Sequence, residues 1–139
     1  MQEHSAIGER ILAHVDEYSE IATIVRHHHE RIDGQGYPDG RADENIPLVS
    51  RIIAVADAYN AMTSDRPYRD AMPSRVARLR LAQAVDSQFD TSVVAAFEAI
   101  LASADEEYRI ARRDDFGVLT QGGEDVSPAL EETSVANVA

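Results

Sequence analysis

The run from Leu48 to Thr63 fixes the character of this chain. In LVSRIIAVADAYNAMT the side chains of Leu48, Ile52, Val55, Tyr59 and Met62 recur at the spacing of one helical face, with Ala56 beside it. Pro47 suits the first turn, where its missing N–H removes no helical bond. Both flanks break the pattern. Upstream, IDGQGYPDGRADENIP holds three glycines and two prolines in sixteen positions. Glycine opens positive φ and proline fixes φ, so this is a shaped loop. Downstream, SDRPYRDAMP is a second irregular connection.

Four more helices follow from the same rule. Residues 5–16 read as a short helix carrying Ile7, Ile11, Leu12 and Val15. Ser5 is suited to cap it and Gly8 weakens it locally. Residues 19–31 place Ile21, Ile24, Val25 and His28 on one stripe. Residues 74–85 offer Val76, Leu79, Ala82 and Ala84, with a stop at Asp86 or Ser87. Asp90 or Thr91 can cap a last helix to about Ala104, striped with Val93, Val94, Phe97, Ile100 and Leu101.

Five short helices joined by shaped loops predict an all-α fold, an irregular helical bundle. The length of 139 residues suits one domain. Its core must come from Ala, Val, Ile and Leu, because tryptophan is absent and only three phenylalanines occur. The helical domain is expected over residues 1–104. Residues 105–139 read as an acidic C-terminal extension, expected to be flexible from about residue 120.

The formal charge of -12 repels a phosphate backbone, so no nucleic-acid polymer is expected as partner. A small anion needs local arginines or a metal ion. The absence of cysteine excludes disulfides and sulfur-bound zinc. No apolar run reaches membrane-spanning length, and the opening MQEHSAIGER lacks an apolar signal segment. The expectation is a soluble, cytoplasmic chain without a membrane partner.

One polar group stands out. His28 and His29 are successive on the second predicted helix, about 100° apart, and can border one pocket. His27 should lie on another side. Asp57 sits in the best-patterned apolar helix, where a buried carboxylate needs a hydrogen bond, a cation or a metal. With His4 these residues offer nitrogen and oxygen donors suited to a divalent ion such as iron, manganese or zinc. The alternatives are ordinary: surface or hydrogen-bonded core histidines, and an aspartate that caps or bridges. Glu30 and Asp33 can orient the imidazoles or a water, or pair with Arg26 or Arg31. Arg66 and Arg69 can fork onto a phosphate, or onto surface carboxylates.

A family resemblance runs over roughly residues 4–101. His28-His29-Glu30, Asp33-Gly34 and Gly36-Tyr37-Pro38 resemble the HD-GYP domain family. So do Ile46-Pro47, Arg51-Ile52, Val55-Ala56-Asp57, Tyr59, Ala61 and the stretch Thr63 to Arg69. Gln88-Phe89-Asp90, Val93-Val94, His4 and Gly8 continue the match. The resemblance implies a metal-dependent phosphodiesterase acting on cyclic di-GMP. It implies metal ligands at His4, His28, His29 and Asp57, substrate contacts at Tyr37, Arg66 and Arg69, and supporting roles for Glu30 and Asp33.

The resemblance also implies a segment that has no counterpart before His4: the upstream helices with the family's His-Asp dyad, further ligands and a lysine. Asn60 stands where aspartate is common, Asp86 replaces a glycine and Thr91 a proline. The expectation is therefore a phosphohydrolase fragment with weak or no turnover alone. Two other readings remain open: a regulatory module binding a cyclic dinucleotide or a protein, and a structural partner. In the last, a second copy or a separate chain would complete the helical bundle.

Overall fold

The computed structural model describes residues 3–110, and all regular structure in them is helical. Six α-helices run in the order α1 His4–Leu12, α2 Ser19–His27, α3 Leu48–Thr63, α4 Ser74–Gln83, α5 Thr91–Ser103 and α6 Glu106–Arg109. Single 3-10 turns at Asp16–Tyr18 and Asp43–Asn45 link them. The fold is the expected irregular bundle. Among the described residues no helix is long and apolar enough to cross a membrane. The C-terminal extension lies outside the described residues after Ile110. Its first turn, α6, was not expected.

The core sits where α3, α4 and α5 meet. Val55 and Tyr59 of α3 pack with Ala77 and Leu81 of α4, Phe89, and Val93, Val94 and Leu101 of α5. The Tyr59 hydroxyl joins Ser74 Oγ at 2.7 Å and donates to the Arg109 carbonyl at 2.9 Å, tying α3 to α4 and α6. That anchor sets the rotation of α4. Ser74, Ala77 and Leu81 are buried, one helical stripe, while Leu79 is exposed. The expected stripe through Val76 and Leu79 was therefore out of phase. Leu48 and Ile52 of α3 and Ile100 of α5 are likewise exposed rather than core. On α3 the inward positions are Ala54, Val55, Ala58, Tyr59 and Met62. Small residues there let the neighbouring helices close in.

α1 and α2 pair beside this core. A Cβ on Gly8 would meet Val25 Cγ1 at 2.9 Å, so the glycine that weakens α1 also permits its close approach to α2. Ser5 is fully buried inside α1 and does not cap it; the helix starts at His4. Ser50 Oγ donates to the Ile24 carbonyl at 2.9 Å and fastens α3 to α2.

Asp90 caps α5, accepting from Val93 N at 3.0 Å and from Arg51 at 2.6 Å. Burial works against its charge, but the Val93 N–H and Arg51 outweigh it and hold its carboxyl below the usual range. A carboxyl depressed in the folded state stabilises above its unfolded value and loses that contribution as pH falls through the folded value. Asp90→Asn is expected to lower stability by about 1 kcal/mol or more at neutral pH. The gap to wild type should close in acid. A gap in urea unfolding that is unchanged between neutral pH and pH 3 would refute the assignment.

Candidate metal centre

α2 ends at His27, four residues before the expected Arg31. The turn there brings the Glu30 carboxylate to the amides of Asp39 and Arg41. His28 and His29 thus leave the helix end on the first non-helical residues and face the start of α1. The ring centroids of His4 and His28 are 5.6 Å apart, those of His4 and His29 4.8 Å, and those of His28 and His29 3.9 Å. One ring nitrogen from each lies within 4.8 Å of the others.

These donors fit a divalent ion. His4 Nε2 and His29 Nε2 are 2.9 Å apart. Two ligands about 2.1 Å from one ion, at right angles, stand roughly 3.0 Å apart. His28 Nδ1 donates to the Val25 carbonyl at 2.6 Å, which places its proton on Nδ1 and leaves a lone pair on Nε2. Burial pushes His29 below the ordinary histidine value, and repulsion from His28 and His4 adds to this against the pull of Asp57. A lowered value keeps the ring neutral, the form that ligates metal.

Asp57 reaches the same hollow from α3. A cavity of about 450 Å³ is bordered by His28, His29, Tyr37, Asp57, Gln88 and Phe89, among others. Asp57 is exposed and stands outside the tight imidazole group. Tyr37 stacks on His29, with centroids 4.9 Å apart and planes at 29°.

The loop is held over the imidazoles by Glu30. That residue is 4% exposed, and its carboxylate accepts from Asp39 N at 2.8 Å and Arg41 N at 3.0 Å. Its oxygens therefore satisfy loop amides rather than orienting an imidazole of the group. Asp33 takes the other of its two expected roles, the pair with Arg31. It accepts from Arg31 Nη2 at 2.6 Å and from Gln35 N at 3.0 Å, closing a local turn at the surface.

His27, expected on another side of the helix, lies there fully buried beside Glu30 and Asp39, with Nδ1 3.6 Å from each carboxylate. These three form a second ligand-type group. Its acceptors are already committed. Glu30 holds two amides, and Arg26 forks onto Asp39 at 2.7 and 2.9 Å. Sequence reasoning missed the Arg26–Asp39 pair, since no helical spacing links positions 13 apart.

Arg66 and Arg69 lie on a tight turn beyond α3, each backbone N–H bonded to the other's carbonyl. Both are exposed and neither borders the imidazole cavity. The Arg69 guanidinium donates to the Ala61 carbonyl.

The helical bundle thus gathers three imidazoles, two of which share a cavity with a facing carboxylate. The HD domain family matches residues 1–93, and the chain belongs to it, in its HD-GYP-like branch. Among relatives, a 3'3'-cGAMP-specific phosphodiesterase of Vibrio cholerae is 35% identical over 108 residues, 78% of this chain and 24% of that protein. A cyclic di-GMP phosphodiesterase of Pseudomonas aeruginosa is 42% identical over 98 residues, 70% of this chain and 23% of that protein. One from Thermotoga maritima is 36% identical over 119 residues, 83% of this chain and 32% of that protein. The chain thus spans between about a quarter and a third of these relatives. The crystal structure of a cyclic GMP-AMP-specific phosphodiesterase from Vibrio cholerae shares the fold, with a TM-score of 0.62 at 22% identity over 73% of this chain and 23% of that one.

Proposed function

We propose that this chain holds a divalent ion as one side of a cyclic-dinucleotide phosphodiesterase site, with little turnover by itself. The observation that carries the reading is the convergence of His4, His28 and His29 within 4.8 Å, beside the cavity that Asp57 borders. His29 binds through the lone pair that its lowered value keeps available, His28 through the Nε2 that its Nδ1 bond to the Val25 carbonyl leaves open, and His4 closes the set from α1. Asp57 balances charge from the facing helix. Tyr37 offers an aromatic face at the cavity mouth, suited to a nucleobase.

The bound ion would supply a Lewis acid for a phosphodiester oxygen and lower the pKa of a bound water. The residues bordering the cavity place donors on one side of such a phosphate. In-line displacement needs stabilisation at both the attacking and the leaving oxygen. Donors on one side alone support binding ahead of turnover. Glu30 acts at one remove, by keeping Tyr37 in place.

Metal analysis of the purified chain, joined to cyclic di-GMP and cGAMP hydrolysis assays with manganese, iron or zinc, tests this. The expected result is bound ion with hydrolysis at or near background. Absence of ion under every loading condition would sink the centre. Rapid hydrolysis by the chain alone would sink the claim of low turnover.

A further inference from the structure

Arg26 borders neither the imidazole group nor its cavity, yet from α2 it bonds both to α1 and to the loop that carries Tyr37. Its Nη1 donates to Glu9 Oε2 at 2.5 Å, its Nη2 to Asp39 Oδ1 at 2.7 Å and its Nε to Asp39 Oδ2 at 2.9 Å. Glu9 is on α1, whose first residue is His4. Arg26 is on α2, two residues before His28. Asp39 follows Tyr37 by two residues on the loop. One planar guanidinium therefore spans the three pieces of chain that carry His4, His28–His29 and Tyr37.

We infer that Arg26 is a positioning residue for the candidate centre: its fork on Asp39 and its third bond to Glu9 set His4 and Tyr37 against His29. The inference rests on the metal-centre reading above. The chemistry favours a geometric role over a purely stabilising one. All three side chains are partly exposed, between 27% and 31%, and pairs this open to water add little stability and weaken in salt. What they do provide is direction. A guanidinium fork fixes both distance and plane, which an ammonium on a flexible stem does not. The two contacts it controls are tight enough to register small shifts: 2.9 Å between His4 and His29 nitrogens, and 4.9 Å between His29 and Tyr37 centroids. An ordinary surface ion pair, the competing account, would leave both unchanged when removed.

The experiment uses the full chain, free of metal, with isotope-labelled histidines read by NMR. Stacking of Tyr37 should displace the His29 ring-proton signals upfield in wild type. Arg26→Gln is expected to lose that displacement and to shift the His4 signals, while the circular-dichroism melting curve moves little. Zinc, titrated as probe, should bind roughly tenfold or more weakly, as for loss of outer residues that orient ligands. Arg26→Lys restores charge without the fork and should not restore zinc affinity. The two arms separate in milder variants. Asp39→Asn should remove the His29 displacement and leave His4 signals in place. Glu9→Gln should move His4 signals and leave the Tyr37 stack. If both milder variants keep wild-type ring signals and zinc affinity, Arg26 is only a surface pair and the inference is overturned, whether or not Arg26→Gln folds. Wild type that binds no zinc would instead refute the metal reading, and the ring signals would still decide the role of Arg26.

Discussion

Replacing Gly36 with alanine is expected to open the loop over the imidazoles and to cost about 2–4 kcal/mol of stability. A Cβ at this position would lie 2.4 Å from Arg31 N, 2.6 Å from Glu30 Cα and 2.7 Å from Glu30 C. All three are backbone atoms, so no rotamer change relieves the overlap. The loop must instead retreat from residues 30 and 31. That motion pulls the Asp39 and Arg41 amides away from the Glu30 carboxylate. A buried carboxylate that loses its donors is a large part of the expected loss. Tyr37, one residue along, should leave the face of His29. Gly8 is a milder case: a Cβ there meets one side-chain methyl, Val25 Cγ1 at 2.9 Å, and no backbone atom. Urea unfolding followed by circular dichroism gives the measurement. A Gly36→Ala chain within about 0.5 kcal/mol of wild type would show that the loop yields at this glycine without losing the Glu30 bonds.

The contrast between these two glycines shows what sequence could and could not supply. Both α3 and the capped start of α5 were readable, because periodicity and an Asp N-cap are local signals. The direction each helix faces was not. α3 carries apolar residues around much of its circumference, so Leu48 and Ile52 looked as eligible for the core as Val55. The choice is made by Tyr59 and Ser74, whose hydrogen bond joins two helices. The end of α2 was misplaced for a related reason. Glu30 has good helix propensity, but its carboxylate is required by amides of residues 39 and 41. Tertiary demand overrides propensity there.

The candidate centre divides the same way. His28 and His29 announce themselves by adjacency. Their meeting with His4, 25 positions before His29, has no local signal: the residues made it one option and the family resemblance singled it out. Gly36 looked like loop punctuation, although its role is close approach to the backbone of Glu30. Arg26 and Asp39 gave no signal, since their pairing depends on how the loop folds back over α2.

Removal of the His29 ring should have a large effect on the centre, because that ring meets both other imidazoles and Tyr37. It lies 2.9 Å from His4 through the ring nitrogens, packs 3.9 Å from His28 and 4.9 Å from Tyr37, and feels the charge of Asp57. A His29→Ala chain is expected to bind zinc or manganese on the order of a hundredfold more weakly, near the upper end of what even an orienting residue costs. That corresponds to about 2.8 kcal/mol of binding energy. His14→Ala is the matched control. That imidazole is exposed, outside the group, and bonded to the Arg10 carbonyl at 2.6 Å. It should leave ion affinity unchanged. The lowered value of His29 adds a second readout. A proton competes for its lone pair only below that value, so the His29 contact with the ion should itself persist further into acid than an ordinary imidazole's would. Calorimetric titration of the full chain from neutral pH downward reads both effects. Equal ion affinity in the His29 and His14 variants would mean that the three rings meet without forming a site.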